Sequence, residues 1–232
     1  MLGMVSMPET EKARNAKEMI QEFGSFSTGN LSDAMDNLGL QRSVITGLRL
    51  LTRHEGKRLV GFAYTMKQMF RHPASSGAKL ARHSEAINKL VKPGHILVID
   101  AGGRTDVCNG GGLLALRAKV RGLAGFVVNG GYRDIDEINA FGFPIYARGA
   151  TPVRSTPDLE TVGFEIPVEI DSVQIHSGDI LVADSDGILV IAPRFAQPIL
   201  EEARSIAENE EKLLQMVREG MDFELAYSKV KL

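Results

Sequence analysis

Two short runs of apolar residues, Ile96-Leu97-Val98-Ile99 and Phe126-Val127-Val128, constrain the fold of this chain most strongly. Continuous apolar runs of this length are typical of strands that are covered on both faces, as in a parallel sheet. A helical pattern lies between them and ends near Arg121-Gly122. Strand and helix therefore alternate through the middle of the chain, and this alternation predicts an α/β fold.

The segments on either side continue the alternation. Residues 58–67 alternate apolar and smaller side chains, which predicts a strand, and residues 78–91 carry the spacing of a helix that Pro93-Gly94 stops. A short helix through Ile138 and Phe141 leads to a predicted strand at residues 144–147.

The last third of the chain has a different pattern. Short β runs alternate with turn sequences, which predicts antiparallel hairpins. Asp184-Ser185-Asp186-Gly187 resembles the start of a calcium-binding loop, but no glutamate follows at the twelfth position, so a hairpin turn is favoured. The predicted strands cover residues 168–170, 173–175, 180–183 and 188–191.

Helices are predicted at both ends of the chain. Residues 9–23 form an amphipathic pattern, and residues 27–39 form a second helix that Asn30 caps and Gly39 ends. A long charged helix covers residues 198–219. We find no repeat and no long linker, so we predict one mixed α/β domain over residues 1–232, with N-terminal helices at 9–39 and a core at 58–192.

Composition excludes several classes of protein. The net charge of −2 gives no cluster of positive charge for nucleic acid or an anionic membrane, and no run of 18 apolar residues could span a bilayer. Cys108 is the single cysteine, so a disulfide within the chain and a thiolate-based metal site are excluded. These features, and the lack of a signal-peptide pattern, predict a cytoplasmic protein.

The candidate chemistry lies at two predicted strand ends. Gly110-Gly111-Gly112 stands where a helix begins, and its uncovered N–H groups could bind a carboxylate or phosphate. Arg133 and Asp134 follow the next strand. The carboxyl ends of parallel strands meet at one edge of a sheet, so we expect these residues to converge on one ligand.

Asp134 has two interpretations. With Glu137 three residues later it fits a capping box for the following helix, and equally it could bind a metal ion. Cys108 lies near the glycine run, but no partner base is evident, so a nucleophilic role is not favoured.

Several sequence blocks resemble the RraA-like family, which includes 4-hydroxy-4-methyl-2-oxoglutarate and 4-carboxy-4-hydroxy-2-oxoadipate aldolases. The most specific blocks are residues 122–137 and 178–187; residues 31–35 and 94–100 add to the match. The resemblance implies a compact α/β/β/α domain like the swivelling phosphohistidine domains. It also implies homotrimers or hexamers with sites at subunit boundaries.

The resemblance assigns site residues as well. It places the substrate carboxylate on the backbone of Gly111-Gly112-Leu113-Leu114, contacts the same fragment with Arg133, and makes Asp134 the ligand of Mg²⁺ or Mn²⁺. The implied activity is a retro-aldol cleavage beside a 2-keto acid that releases pyruvate, with oxaloacetate decarboxylation as a second activity. A Schiff-base lysine is then unnecessary.

Two other functions follow from the same resemblance. Some family members resemble inhibitors of ribonuclease E, which act by binding protein, and a chain without turnover could still bind small anions. Many family aldolases have Asp or Glu at the position of Gly112, so here the second carboxylate must come from elsewhere, or the substrate differs. The terminal helix of a neighbouring subunit offers Glu208, Glu210 and Glu211.

Overall fold

The computed structural model describes residues 9–54, 58–72, 81–155 and 158–230, with side chains described from residue 14 onward. The helices are α1 (Glu9–Phe23), α2 (Thr28–Asn37), α3 (His83–Glu85, continued by a π-turn at Ala86–Leu90), α4 (Gly112–Val120), α5 (Ile135–Phe141), α6 (Ala196–Arg218) and α7 (Phe223–Tyr227). The strands are β1 (Val44–Ile45), β2 (Arg49–Leu50), β3 (Leu59–Phe70), β4 (His95–Asp100), β5 (Gly125–Tyr132), β6 (Ile145–Ala150), β7 (Leu159–Phe164), β8 (Val168–Ile170), β9 (Val173–Ile175), β10 (Ile180–Ala183) and β11 (Ile188–Ile191).

Most strands belong to one mixed sheet. Its order is β1-β11-β10-β3-β4-β5-β6-β2, with β7 paired to β3. The strands β3, β4, β5 and β6 are parallel neighbours, and β10 and β11 join them in antiparallel pairing. The strands β8 and β9 form a separate hairpin. The predicted mixed α/β fold is confirmed.

The sheet folds over itself to give four layers. One apolar core packs α4, α5 and the π-turn against β4–β6. A second core joins the other face of β4–β6, through residues such as Val98 and Val127, to Leu181 and Val190 of the antiparallel strands. A third core packs α2 and α6 against the outer face of β10 and β11. This is the predicted α/β/β/α arrangement, with helices at both ends of the chain.

The predicted strands of the last third agree with the structure residue for residue. The turn at Asp184 to Gly187 joins the antiparallel pair β10–β11, so the hairpin interpretation is confirmed. The segment His176-Ser177-Gly178-Asp179 does not close a hairpin, because β9 pairs with β8 and β10 pairs with β3.

Two helix predictions need correction. Ser27, not Asn30, is the N-cap of α2. Its hydroxyl accepts a hydrogen bond from the Asn30 N–H, and the Asn30 Oδ1 accepts one from the Ser27 backbone N–H. The predicted helix at residues 78–91 falls partly outside the described residues. Its described part starts at His83 and widens into the π-turn.

Strand β5 is longer than predicted. The apolar run that predicted the strand covers Phe126 to Val128, and residues 129–132 continue the strand beyond it. Gly130 and Gly131 fit because neighbouring groups approach their backbone closely; a Cβ on Gly131 would stand 2.6 Å from Thr151 Cγ2. The strand ends at Tyr132, directly before Arg133.

Within the described residues, none of the helices combines the length and the apolar character that a membrane span requires.

Candidate active site

Backbone hydrogen bonds hold the glycine run against the end of β5. Cys108 forms an isolated parallel bridge with Gly131, and the Asn109 N–H donates to the Gly131 carbonyl at 2.8 Å. One step further, the Arg133 N–H donates to the Gly110 carbonyl at 3.3 Å. The start of α4 and the residues after β5 therefore lie side by side, as the sequence predicted.

The first two glycines of the run are required by close packing. A Cβ on Gly110 would lie 2.7 Å from the Tyr132 hydroxyl, and a Cβ on Gly111 would clash with the Asp134 carboxylate. Gly112 differs, because a Cβ there would meet its nearest neighbour, Asp134 Cβ, at an ordinary 3.5 Å. Only the third position has room for a side chain.

This difference gives a paired prediction. We expect Gly110→Ala to lower the free energy of unfolding by about 1–3 kcal/mol, because the methyl group would overpack the buried Tyr132 ring. We expect Gly112→Ala to change it by less than about 1 kcal/mol, because alanine favours the helix and has room. Urea denaturation measures both; equal losses would contradict the packing described above.

Asp134 is held in an unusual backbone conformation. Its φ of 62° and ψ of 39° lie in the left-handed region, and its side chain makes no capping hydrogen bond to α5. The capping-box interpretation with Glu137 is therefore wrong. Instead Oδ2 of Asp134 accepts a 2.8 Å hydrogen bond from the N–H of Gly112, the first residue of α4. Non-glycine residues in this region cluster at functional sites.

The Gly112 N–H was one of the groups predicted to bind a ligand carboxylate, but it donates to the Asp134 carboxylate instead. The Leu114 N–H is also used, in a 3.1 Å bond to the Gly111 carbonyl. Among the described residues, the N–H groups of Gly111 and Leu113 have no acceptor. The Leu113 side chain is 86% exposed, while Leu114 packs against the core below α4.

Arg133 lies beside the same carboxylate. Its Nε stands 3.6 Å from Asp134 Oδ2, beyond hydrogen-bond distance, and the Arg133 and Asp134 side chains are 40% and 39% exposed. The Nε atom is buried and has no hydrogen-bond partner. A buried donor without an acceptor costs stability, so this group is poised for an anion from outside the chain.

Tyr132 fixes the floor of the site. Its ring is fully buried, and its hydroxyl donates to the Gly111 carbonyl at 3.3 Å. Burial, with smaller contributions from the charges of Cys108 and Asp134, raises the pKa of this hydroxyl well above its ordinary value. Tyr132 therefore stays protonated as a donor and orients the turn before α4.

The sequence did not reveal a row of polar side chains at the same edge of the sheet, on its other face. Lys67, Asp100, Asn129 and Arg148 come from the four parallel strands. Asp100 accepts from Lys67 at 2.5 Å and from Asn129 at 2.8 Å, and Arg148 Nε donates to Asn129 Oδ1 at 2.8 Å. Each buried group in the row has a partner, so the row holds the strand ends together. The four residues become neighbours only through the register of the strands in the folded sheet, so the sequence alone could not identify the row.

The donor set suits a hard divalent cation. In the described part of the chain, no three His, Cys, Asp or Glu side chains come together as a preformed metal cluster. Mg²⁺ and Mn²⁺ often use one or two carboxylates with waters and substrate oxygens. Asp134 fits this pattern: Oδ2 is fixed by Gly112, and Oδ1 has no partner among the described residues.

Comparison with known proteins then places the chain. The family model described as RraA-like, Aldolase/RraA, matches residues 28–190. The chain belongs to the RraA-like family. The match includes the glycine run, Arg133 and Asp134.

Three individual proteins are similar to this chain in sequence or in fold. A putative 4-hydroxy-4-methyl-2-oxoglutarate aldolase of Halalkalibacterium halodurans is 31% identical over 194 residues, covering 84% of this chain and 86% of its own length. The crystal structure of Streptomyces coelicolor RraAS2, an unusual member of the RNase ES inhibitor RraA family, has 29% identity and a TM-score of 0.74 over 84% of this chain and 94% of its own. An uncharacterised Pseudomonas syringae protein has 25% identity and a TM-score of 0.79 over 91% and 98% of the two chains.

Proposed function

We propose that this protein is a divalent-metal-dependent lyase that cleaves a carbon–carbon bond beside a 2-keto acid and releases pyruvate, with oxaloacetate decarboxylation as a side activity. The observation that carries the proposal is the geometry of Asp134. Its carboxylate is fixed at the start of α4 by the Gly112 N–H, with one oxygen free and Arg133 alongside. The aldolase name of the H. halodurans relative supports the same reaction class.

Asp134 would hold Mg²⁺ or Mn²⁺ through Oδ1. A bound divalent cation supplies a Lewis acid for the keto and carboxylate oxygens of the substrate, which makes a Schiff-base lysine unnecessary. The Gly112 N–H would orient the ligating carboxylate by its hydrogen bond to Oδ2, the oxygen not used for the metal. Hydrogen bonds to metal ligands commonly have this role. The left-handed backbone of Asp134 directs the side chain back toward α4.

The remaining groups would bind the substrate. The N–H groups of Gly111 and Leu113 offer donors at the positive end of α4, which suits the carboxylate of a 2-keto acid. Arg133 adds a guanidinium whose buried Nε lacks an acceptor. Cleavage beside the keto group places negative charge on the keto oxygen, and a fixed guanidinium donor stabilises such charge.

A pyruvate-release assay coupled to NADH oxidation by lactate dehydrogenase tests the proposal. The substrates are 4-hydroxy-4-methyl-2-oxoglutarate and oxaloacetate, each with Mg²⁺, with Mn²⁺, and with a chelator. We expect turnover with metal and its loss with chelator, restored by added metal. Oxaloacetate loses CO₂ with metal ions alone, so each rate is compared with a protein-free control. Turnover that survives the chelator, or none on either substrate, would contradict the proposal.

We also propose a homo-oligomer, a trimer or hexamer, in the cytoplasm. Three apolar side chains on the outer face of α4 support self-association. Leu113, Leu116 and Val120 are 86%, 42% and 70% exposed at spacings of three and four, and Leu113 borders the site. Light scattering coupled to size-exclusion chromatography measures the assembly.

A protein-binding regulator is the competing function. The S. coelicolor relative belongs to a family described as RNase ES inhibitors. A regulator that acts by covering a protein surface has no need for a carboxylate fixed in a left-handed backbone or for an Arg133 donor without an acceptor. We therefore favour the lyase.

A further inference from the structure

A cavity of about 700 Å³ lies at the opposite end of the parallel strands from the candidate active site. Tyr146, the second residue of β6, lines it and pairs with Val127 of β5. From that level β5 runs five residues further to Tyr132, which at about 3.3 Å per residue is roughly 16 Å. The cavity is therefore separate from the site around Asp134.

The lining of this cavity combines apolar and polar groups. The strand β2 with the residues before it, the residue before β3, and the turn between β10 and β11 enclose it. Leu48 and Leu50 supply apolar surface. Thr46, Arg49 and Ser185 are exposed, so the cavity opens to solvent. Concave sites of this size, with a few polar groups on an apolar lining, are typical of small-molecule binding.

Arg58 lines the cavity with one edge of its guanidinium unused. Its Nη1 donates to the Gly24 carbonyl at 3.1 Å, whereas its buried Nε has no hydrogen-bond partner. Oδ2 of Asp184 stands 3.6 Å from Nε and already accepts from the Thr28 N–H at 2.9 Å. Nη2 also lacks an acceptor among the described residues. Nε and Nη2 form the edge that pairs with a carboxylate through two parallel hydrogen bonds.

Arg49 brings a second free guanidinium to the same cavity. Its backbone pairs with Ala147 of β6. Its side chain is exposed and forms no hydrogen bond or ion pair with any described residue. Two arginines on one cavity with unused donors favour an anionic ligand group.

An acidic group in the same lining narrows the ligand class. The Asp186 N–H donates to Asp184 Oδ1 at 3.1 Å, but the Asp186 carboxylate is exposed and has no partner within the described ranges. An ionised carboxylate only accepts hydrogen bonds, so it repels a ligand that offers acceptors alone. A ligand that also carries a hydroxyl or ammonium group can donate to it. The hydroxyls of Thr46 and Ser185 can bond to either kind of group.

We propose that this cavity is a second binding site, for a small carboxylic acid that also carries a hydroxyl or amino group. Arg58 and Arg49 hold the carboxylate, and Asp186 accepts the hydrogen bond from the hydroxyl or ammonium group. The inference does not depend on the proposed lyase activity, because it uses none of the residues of that site.

Titration calorimetry of the full chain tests the ligand class with three four-carbon diacids. Malate carries a hydroxyl, aspartate an ammonium group, and succinate neither. A chelator is present throughout, so that no acid binds through a metal ion. We expect malate or aspartate to bind at least about 10-fold more tightly than succinate, the scale of one hydrogen bond to a charged group. Succinate binding as tightly as both, or no binding of any acid at millimolar concentration, would overturn the inference.

Arg49→Gln and Arg53→Gln form a matched pair, because both arginines are exposed and only Arg49 lines the cavity. We expect Arg49→Gln to weaken binding of the preferred acid by about 10-fold, through the loss of a charged hydrogen-bond donor. Arg53→Gln should weaken it by less than about 3-fold, the scale of an exposed charge. Similar effects of the two variants would count against the site.

Two further variants test the role of the acid and the place of binding. In Asp186→Ala the preference of the protein for malate or aspartate over succinate should fall below about 3-fold, because the acceptor is gone. In Asp134→Asn the affinity should stay as in the wild type, because the two sites are separate. An unchanged preference in the first variant, or lost binding in the second, would overturn the inference. Circular dichroism melting curves of the variants confirm that each measured loss arises in a folded protein.

Discussion

Replacing Asp134 with asparagine should reduce metal-dependent pyruvate release by roughly 10³-fold or more, because the bound cation supplies several kcal/mol of charge stabilisation. Asparagine tolerates the left-handed backbone of this position, with its φ of 62°. Its side-chain oxygen can still accept from the Gly112 N–H. The substitution therefore removes the charge and leaves the local fold in place.

Asp136→Asn is the control for this experiment, since it removes an exposed carboxylate from the same turn. We expect its rate to stay within about 3-fold of the wild type. Retention of metal-dependent turnover in Asp134→Asn would contradict the assignment. A lower melting temperature with normal turnover would show that Asp134 serves only the structure of the α4 start.

Loss of the Arg133 guanidinium should have the second largest effect. We expect Arg133→Ala to lower kcat for pyruvate release by about 10²–10³-fold, as for the loss of one preorganised oxyanion donor. The physical reason is the buried Nε, which has no acceptor within the described residues and lies beside the Asp134 carboxylate. An ammonium group cannot reproduce the planar fork, so Arg133→Lys should recover little.

Chemical rescue separates this role from a structural one. Millimolar guanidinium should restore part of the rate of Arg133→Ala, while the same concentration of sodium ions should not. Melting curves should show little change, because the side chain is 40% exposed and forms no short ion pair. If Arg133→Ala had a clearly lower melting temperature and guanidinium did not restore its rate, Arg133 would only support the fold.

The sequence predicted most strands and helices because their determinants are local, whereas the α/β/β/α layers were implied by the family resemblance. The strands β8 to β11 were assigned residue for residue, since each is a short apolar run between turn residues. The strands β1, β2 and β7 were missed. Two of them are only two residues long, and β7 pairs alongside β3 with mostly half-buried residues and no apolar run.

The candidate site was predicted only in part, for a related reason. The convergence of Gly110–Gly112 with Arg133 and Asp134 follows from the parallel order of β4 and β5. The conformation of Asp134 could not be predicted, because its carboxylate is held by an N–H group 22 residues earlier in the chain. The local sequence pattern with Glu137 fitted a capping box. In the structure the Asp134 carboxylate instead accepts from the Gly112 N–H and caps nothing in α5.

The role of Gly112 also changed with the structure. The sequence pattern alone treats Gly112 as one of three equivalent glycines. The family resemblance then singles it out as a position where an acidic residue is expected. The structure shows that Gly110 and Gly111 are fixed by close packing, whereas Gly112 alone has space beside two carboxylate residues. The third glycine is therefore the position of the run that could accept a side chain with least disturbance.

Locating the metal is the most direct test of the central claim. Crystals grown with Mn²⁺ and pyruvate, measured near the manganese absorption edge, give the ion position from anomalous scattering. We predict one peak per chain at coordination distance from Asp134 Oδ1, with pyruvate between the start of α4 and Arg133. A peak at another carboxylate, or none beside Asp134, would contradict the account.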